Sequence, residues 1–175
     1  MPGNNIVNHA SKHLTRKDTG FTLLEVLIAL LVLSIGLLGL AALQTSGLRS
    51  NQMASMRTQA TQLAYDITDR MRANTVGTGD GDYVVNNATH PTATKNCASA
   101  SCSPTELATF DLDEWKDSLA LLPGGVGEIV QTAATPLTHT ITVRWNEARD
   151  PSVTGTTCPP AADTDLRCYR LVFSE

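Results

Sequence analysis

The chain has 175 residues and a formal net charge of −4, with 42% hydrophobic and only 17% charged residues. The charge is uneven: Lys12, Arg16 and Lys17 against Asp18 give the first 20 residues +2, so the remainder carries −6 of the −4 total. An acidic body of this kind argues against a general nucleic-acid-binding surface, and the length suggests one modest domain with an additional segment.

Residues 1–20 are polar and basic, with no apolar stretch of their own. Residues 21–43 then form an apolar run in which Glu25 is the only charged side chain. At ~1.5 Å rise per residue a helix of that length covers ~34 Å, enough for a bilayer core of ~30 Å. The positive-inside rule keeps the basic segment cytoplasmic and puts the body outside. In a secretory signal peptide the cleavage point follows the apolar region. Here the Gly20-Phe21 boundary precedes it, so a cut there leaves the hydrophobic helix attached to a new N-terminal Phe21. An uncleaved anchor with a short cytoplasmic tail has the same topology.

The segment Lys17-Asp18-Thr19-Gly20-Phe21-Thr22-Leu23-Leu24-Glu25 closely resembles the processing site of type IV prepilins. That resemblance implies cleavage after Gly20 by a membrane-bound prepilin peptidase and N-methylation of Phe21. It also implies that Glu25 pairs with the free N-terminal amine of a neighbouring subunit. The electrostatics agree, because an acidic residue at the centre of a membrane helix costs about 2.5–3.5 kcal/mol and is tolerated beside a cation.

From Gln44 to Arg72 there is no proline and Gly47 is the only glycine. Leu48, Gln52, Met56, Ala60, Leu63, Ile67 and Met71 recur every three or four residues, which predicts one apolar face, stronger after Met56. A single helix over 21–73 is expected, its second half laid against a globular body. Gly36 and Gly39 permit close helix packing in the bilayer. Ala42 stands where major pilins often carry proline, a departure from that pattern.

The stretch Asn74 to Asp82 reads as a glycine-rich loop ending the helix. Asp80 and Asp82 lack the further ligands of a calcium loop. Tyr83-Val84-Val85 suggests a short strand, and Asn87-Ala88-Thr89 is a glycosylation sequon. The chain's four cysteines form two close pairs. Their spacing predicts disulfides Cys97–Cys102 and Cys158–Cys168, with nonlocal pairing between the two sets as the alternative. It does not fit zinc knuckles, and paired cysteines point to an oxidising compartment.

Ser103-Pro104-Thr105-Glu106 is a helix start, and Asp111 with Glu114 reads as a second one. The cluster Asp111, Asp113, Glu114 is then explained by the helix macrodipole rather than by catalysis. Leu112, Trp115, Leu119 and Leu122 share a face that Pro123-Gly124-Gly125 ends. Strands are expected at 127–131, at 137–145 by strict alternation, and at 167–173. His139 falls on the apolar side of the middle strand as a buried histidine.

Asp113-Glu114-Trp115, Leu122-Pro123-Gly124-Gly125 and Thr140-Ile141-Thr142-Val143-Arg144-Trp145 also look like the PilV group of minor pilins, as does Gly36-Leu37-Leu38-Gly39-Leu40 followed by Gln44. The expected architecture is α+β and type IV pilin-like, a long N-terminal helix packed on a small antiparallel sheet of three to four strands. Its parts are a cleaved leader (1–20), a transmembrane assembly half (21–43), an amphipathic half (44–73) and a periplasmic head (74–175). The resemblance implies a minor pilin in the inner membrane and the pilus, priming or modifying pilus assembly. Implied partners are prepilin peptidase, other minor pilins, the major pilin, the inner-membrane assembly platform and membrane lipid. A minor pseudopilin of a type II secretion system is the alternative. No enzyme is expected: after Gly20 the histidines are His90 and His139, without metal-ligand spacing, nucleophile motif or cofactor signature.

Overall fold

A computed structural model describes residues 20–174, so the basic leader before Gly20 lies outside the described residues. The chain divides between Ser46 and Gly47 into two compact units.

Helix α1 runs over Leu23–Ala73, 51 residues or about 77 Å. It begins two residues later than the apolar run because Thr22 serves as its cap: the Glu25 amide donates to Thr22 Oγ1 at 3.2 Å. Within the first unit every described residue of the helix is exposed, although nearly all are apolar. Two of its hydroxyls bond inside the helix, with Ser34 Oγ donating to Leu30 O at 2.7 Å and Thr45 Oγ1 to Ala42 O at 2.9 Å.

In the second unit, α1 buries Ala60, Leu63, Ala64, Ile67, Thr68 and Met71. Met56 is partly buried against the same core, whereas Leu48 is exposed. The face therefore strengthens after Met56, as its composition implies.

The expected glycine-rich loop is instead a one-turn helix, α2, over Thr75–Gly79. Side chains make this turn. Asn74 Oδ1 accepts from the Gly77 amide at 3.2 Å, and Thr78 Oγ1 donates to the last-turn carbonyl of Met71 at 2.8 Å. The short strand expected at 83–85 is reduced to one bridge between Val85 and Ile129.

Helix α3, Pro104–Ser118, is one helix where two were expected. Its start is the predicted one: Ser103 accepts from the Glu106 amide while Glu106 reaches back to the Ser103 amide. Asp111, Asp113 and Glu114 thus lie in mid-helix, and the macrodipole does not explain them. A 3-10 turn at Leu119–Leu121 follows. Leu112, Trp115, Leu119 and Leu122 are buried, each worth roughly 1.5–3 kcal/mol of transfer free energy. Trp115 Nε1 donates to Leu63 O at 2.9 Å, tying α3 to α1.

Three strands follow, β1 (Val126–Ala134), β2 (Leu137–Trp145) and β3 (Arg167–Ser174), in an antiparallel sheet of order β1-β2-β3. Ile129, His139, Ile141, Val143, Trp145 and Phe173 face inward and are buried, packing the sheet on the second half of α1. Gly127 is required by close approach, since a Cβ there would collide with the Trp115 ring and Leu119.

Candidate functional site

At the N-terminal end, Gly20, Phe21 and Thr22 precede the first helical residue and are all exposed. Among the described residues nothing lies within 4 Å of a Cβ added at Gly20, and Phe21 is 83% exposed. The peptide link between them is therefore non-helical and exposed among the described residues. Glu25 stands in the first turn of α1, exposed, where unpaired amides and the helix dipole favour a carboxylate. A positive group placed beyond the helix start would complete this site. Farther along, Leu27, Leu31, Leu38 and their neighbours are exposed around the helix. Among the described residues, nothing beyond the local helix lies within 4 Å of a Cβ added at Gly36 or Gly39, which leaves room for close helix packing there. Among the described residues this is the one helix long and apolar enough to cross a bilayer.

The cysteines lie in the second unit. Cys97 is bonded to Cys102 and Cys158 to Cys168, with Cα separations of 5.6 and 6.0 Å, and no described cysteine is free. The first bond closes the loop before α3. The second fastens the long 146–166 connection to the start of β3, where Gly155 and Asp165 also bridge.

Three buried polar groups escaped sequence reasoning. Asp111, 6% exposed, accepts from Tyr83 OH at 2.6 Å and from Arg70 at 3.2 Å. Burial and the Asp111 carboxylate raise the Tyr83 pKa, while the Asn74 amide opposes them. Burial alone would lower the Arg70 pKa, but Glu114, Asp66 and Asp111 outweigh it and raise it. Lys116 Nζ donates to Asn86 O at 2.7 Å and Gly127 O at 2.6 Å, and burial pulls its pKa down to about 8. Arg144 reaches Glu128, Asn87 and Thr156 O, joining the sheet to two loops. Partners 41 or 57 residues apart leave no local signal in a sequence. The groups lock loops onto the sheet and helices.

His90 meets Asp113 and Asp117, which sequence spacing did not bring together. Nδ1 faces Asp113 at 3.5 Å and Nε2 faces Asp117 at 3.2 Å. The ring thus bridges two carboxylates from opposite edges, and one of its nitrogens and one oxygen of each carboxylate lie within 4.8 Å of one another.

Comparison with protein families gives two adjoining matches. Residues 15–41 match the prokaryotic N-terminal methylation motif, and residues 42–113 match the family described as type IV pilin Tt1218. No curated protein and no solved structure matches the chain.

Proposed function

Since this chain is a type IV pilin-like protein, structural rather than enzymatic, we propose that it is a minor pilin of a type IV pilus. The observation that carries the reading is the helix start: an exposed Gly20-Phe21 link, then Glu25 in the first turn of a helix whose apolar first half is exposed. Prepilin peptidase cuts between Gly20 and Phe21, and Phe21 is then N-methylated. The helix holds the subunit in the inner membrane, with the head in the periplasm where both disulfides persist. On assembly, helices of other pilins replace lipid around α1, and Glu25 meets the N-terminal amine of a neighbour. The PilV-like segments around Trp115 and Trp145 favour a subunit that joins other minor pilins to prime or modify the fibre.

The test is the N-terminal residue and intact mass of the protein in isolated pili. N-methylated Phe21 with four oxidised cysteines is the expected result, and an intact Met1 would overturn the reading. Glu25→Ala should insert into the membrane normally yet be depleted from pili at least tenfold. Loss of protein secretion with normal piliation on gene deletion would instead identify a type II secretion pseudopilin.

A further inference from the structure

The loop of residues 86–96 is fastened to α3 at several points. Lys116 Nζ donates to Asn86 O, the Ala93 amide to Asp113 Oδ2 at 2.8 Å, and Lys95 pairs with Glu106 at 3.3 Å. At a further point His90 meets Asp113 and Asp117, the one group of three metal-ligating side chains found among the described residues. Asp113 and Asp117 stand one turn apart on α3 and share a face, so their like charges repel. Asp117 also lies in the last turn, where the helix dipole disfavours a carboxylate. Neighbouring cations are engaged elsewhere. Lys116 turns inward to Asn86 O and Gly127 O, and Arg70 takes Asp66, Asp111 and Glu114. Among the described residues, His90 is the one basic side chain paired with these two acids.

A neutral imidazole does not satisfy them. Pro91 O can only accept, so His90 Nδ1 carries the ring proton and donates to it at 3.0 Å. Nε2 then turns a lone pair toward Asp117 Oδ1 at 3.2 Å. Lone pair against lone pair calls for a cation, either a second proton on the ring or a metal ion. The outer bonds favour the metal. A carbonyl on the far ring N–H and an amide on the far carboxylate oxygen are the supports that orient metal ligands. Here Pro91 O holds the ring, and the Ala93 amide holds Asp113 Oδ2 while Oδ1 faces the ring at 3.5 Å.

We propose that His90 Nε2, Asp113 and Asp117 bind a divalent transition-metal ion of the zinc class, solvent completing its shell, and that the ion clamps the 86–96 loop to α3. One imidazole and two carboxylates suit zinc and its first-row neighbours, whereas calcium and magnesium take oxygen ligands. Around tetrahedral zinc, with ligands at about 2.0–2.2 Å, donor atoms stand about 3.3–3.6 Å apart. The three donors lie within 4.8 Å of one another, and the Asp117 side chain, 79% exposed, is free to close the difference. The site stands in the head alone and is independent of the pilin reading.

The experiment titrates zinc chloride into the untagged full chain in detergent at about pH 7.5, where a free imidazole is mostly neutral, and follows binding by calorimetry. Residues 1–20 contain His9 and His13, so each titration is paired with His90→Gln, Asp113→Asn and Asp117→Asn, which keep them. The native chain should bind one zinc ion that each variant binds about tenfold more weakly or worse. Zinc should raise the native urea midpoint and leave that of His90→Gln unchanged, and millimolar calcium or magnesium should not displace it. Should a variant misfold, the native chain decides. Zinc should slow carbethoxylation of His90 by diethyl pyrocarbonate at least fivefold, read peptide by peptide by mass spectrometry. Equal zinc binding by the folded variants, displacement by calcium, or an unprotected His90 overturns the site. A urea midpoint that responds to pH but not to zinc overturns it as well, because the second ring proton then supplies the charge alone.

Discussion

Asp111 serves two partners from within α3, and its removal leaves both short of an acceptor. Tyr83 OH is buried and Arg70 is half-buried, so Asp111→Ala should destabilise the head by about 2–4 kcal/mol. Tyr83→Phe removes one hydrogen bond and should cost about 1 kcal/mol. Urea denaturation followed by tryptophan fluorescence checks both, and equal costs would contradict the network. Lys116 yields a pH prediction. Its folded pKa of about 8 lies below the ordinary 10.5, so between those values the unfolded chain holds a proton that the folded chain has released. Stability from this group therefore rises with pH across that window. Tyr83, whose pKa is raised, acts in the opposite sense above its ordinary 10.0, where the unfolded chain ionises first. The urea midpoint should accordingly be higher at about pH 9.5 than at about pH 7.5, and Lys116→Met should flatten the difference.

At the scale of elements, α3 depends on its start. Ser103→Ala breaks one half of the capping box and should cost about 1 kcal/mol by thermal denaturation, with helix content otherwise intact. Gly127→Ala should cost more, about 1–3 kcal/mol, because the added methyl must displace the Trp115 ring. Elements written in a local period were legible in the sequence: β2 by alternation from Leu137 to Trp145, α1 by unbroken helical spacing, and the start of α3 by Ser103-Pro104-Thr105-Glu106. Elements set by contacts between distant residues were not. Helix α2 exists because Asn74 and Thr78 hold it, and Asp111 resembles a cap until Arg70 and Tyr83 are brought beside it. At the candidate site, Gly20, Phe21 and Glu25 lie within one six-residue stretch and could be read directly.

At the scale of the whole molecule, apolar burial among the described residues is confined to the second unit. The core draws on α1 only from Met56 to Met71, with full burial beginning at Ala60. A chain starting at residue 47 should therefore stay soluble without detergent and unfold at the same urea concentration as the longer protein in detergent, within about 0.5 kcal/mol. Aggregation of that fragment, or a much lower midpoint, would show that the earlier helix supports the head. The narrow stretch of α1 used by the core has a further consequence, for inheritance. The first half of the helix answers to lipid and to other subunits, and the head answers to its own packing. Only about a dozen residues must satisfy both. A recombination joint placed just before Ala60 would exchange one head for another while leaving the assembly half untouched, so the two parts are free to diversify at different rates.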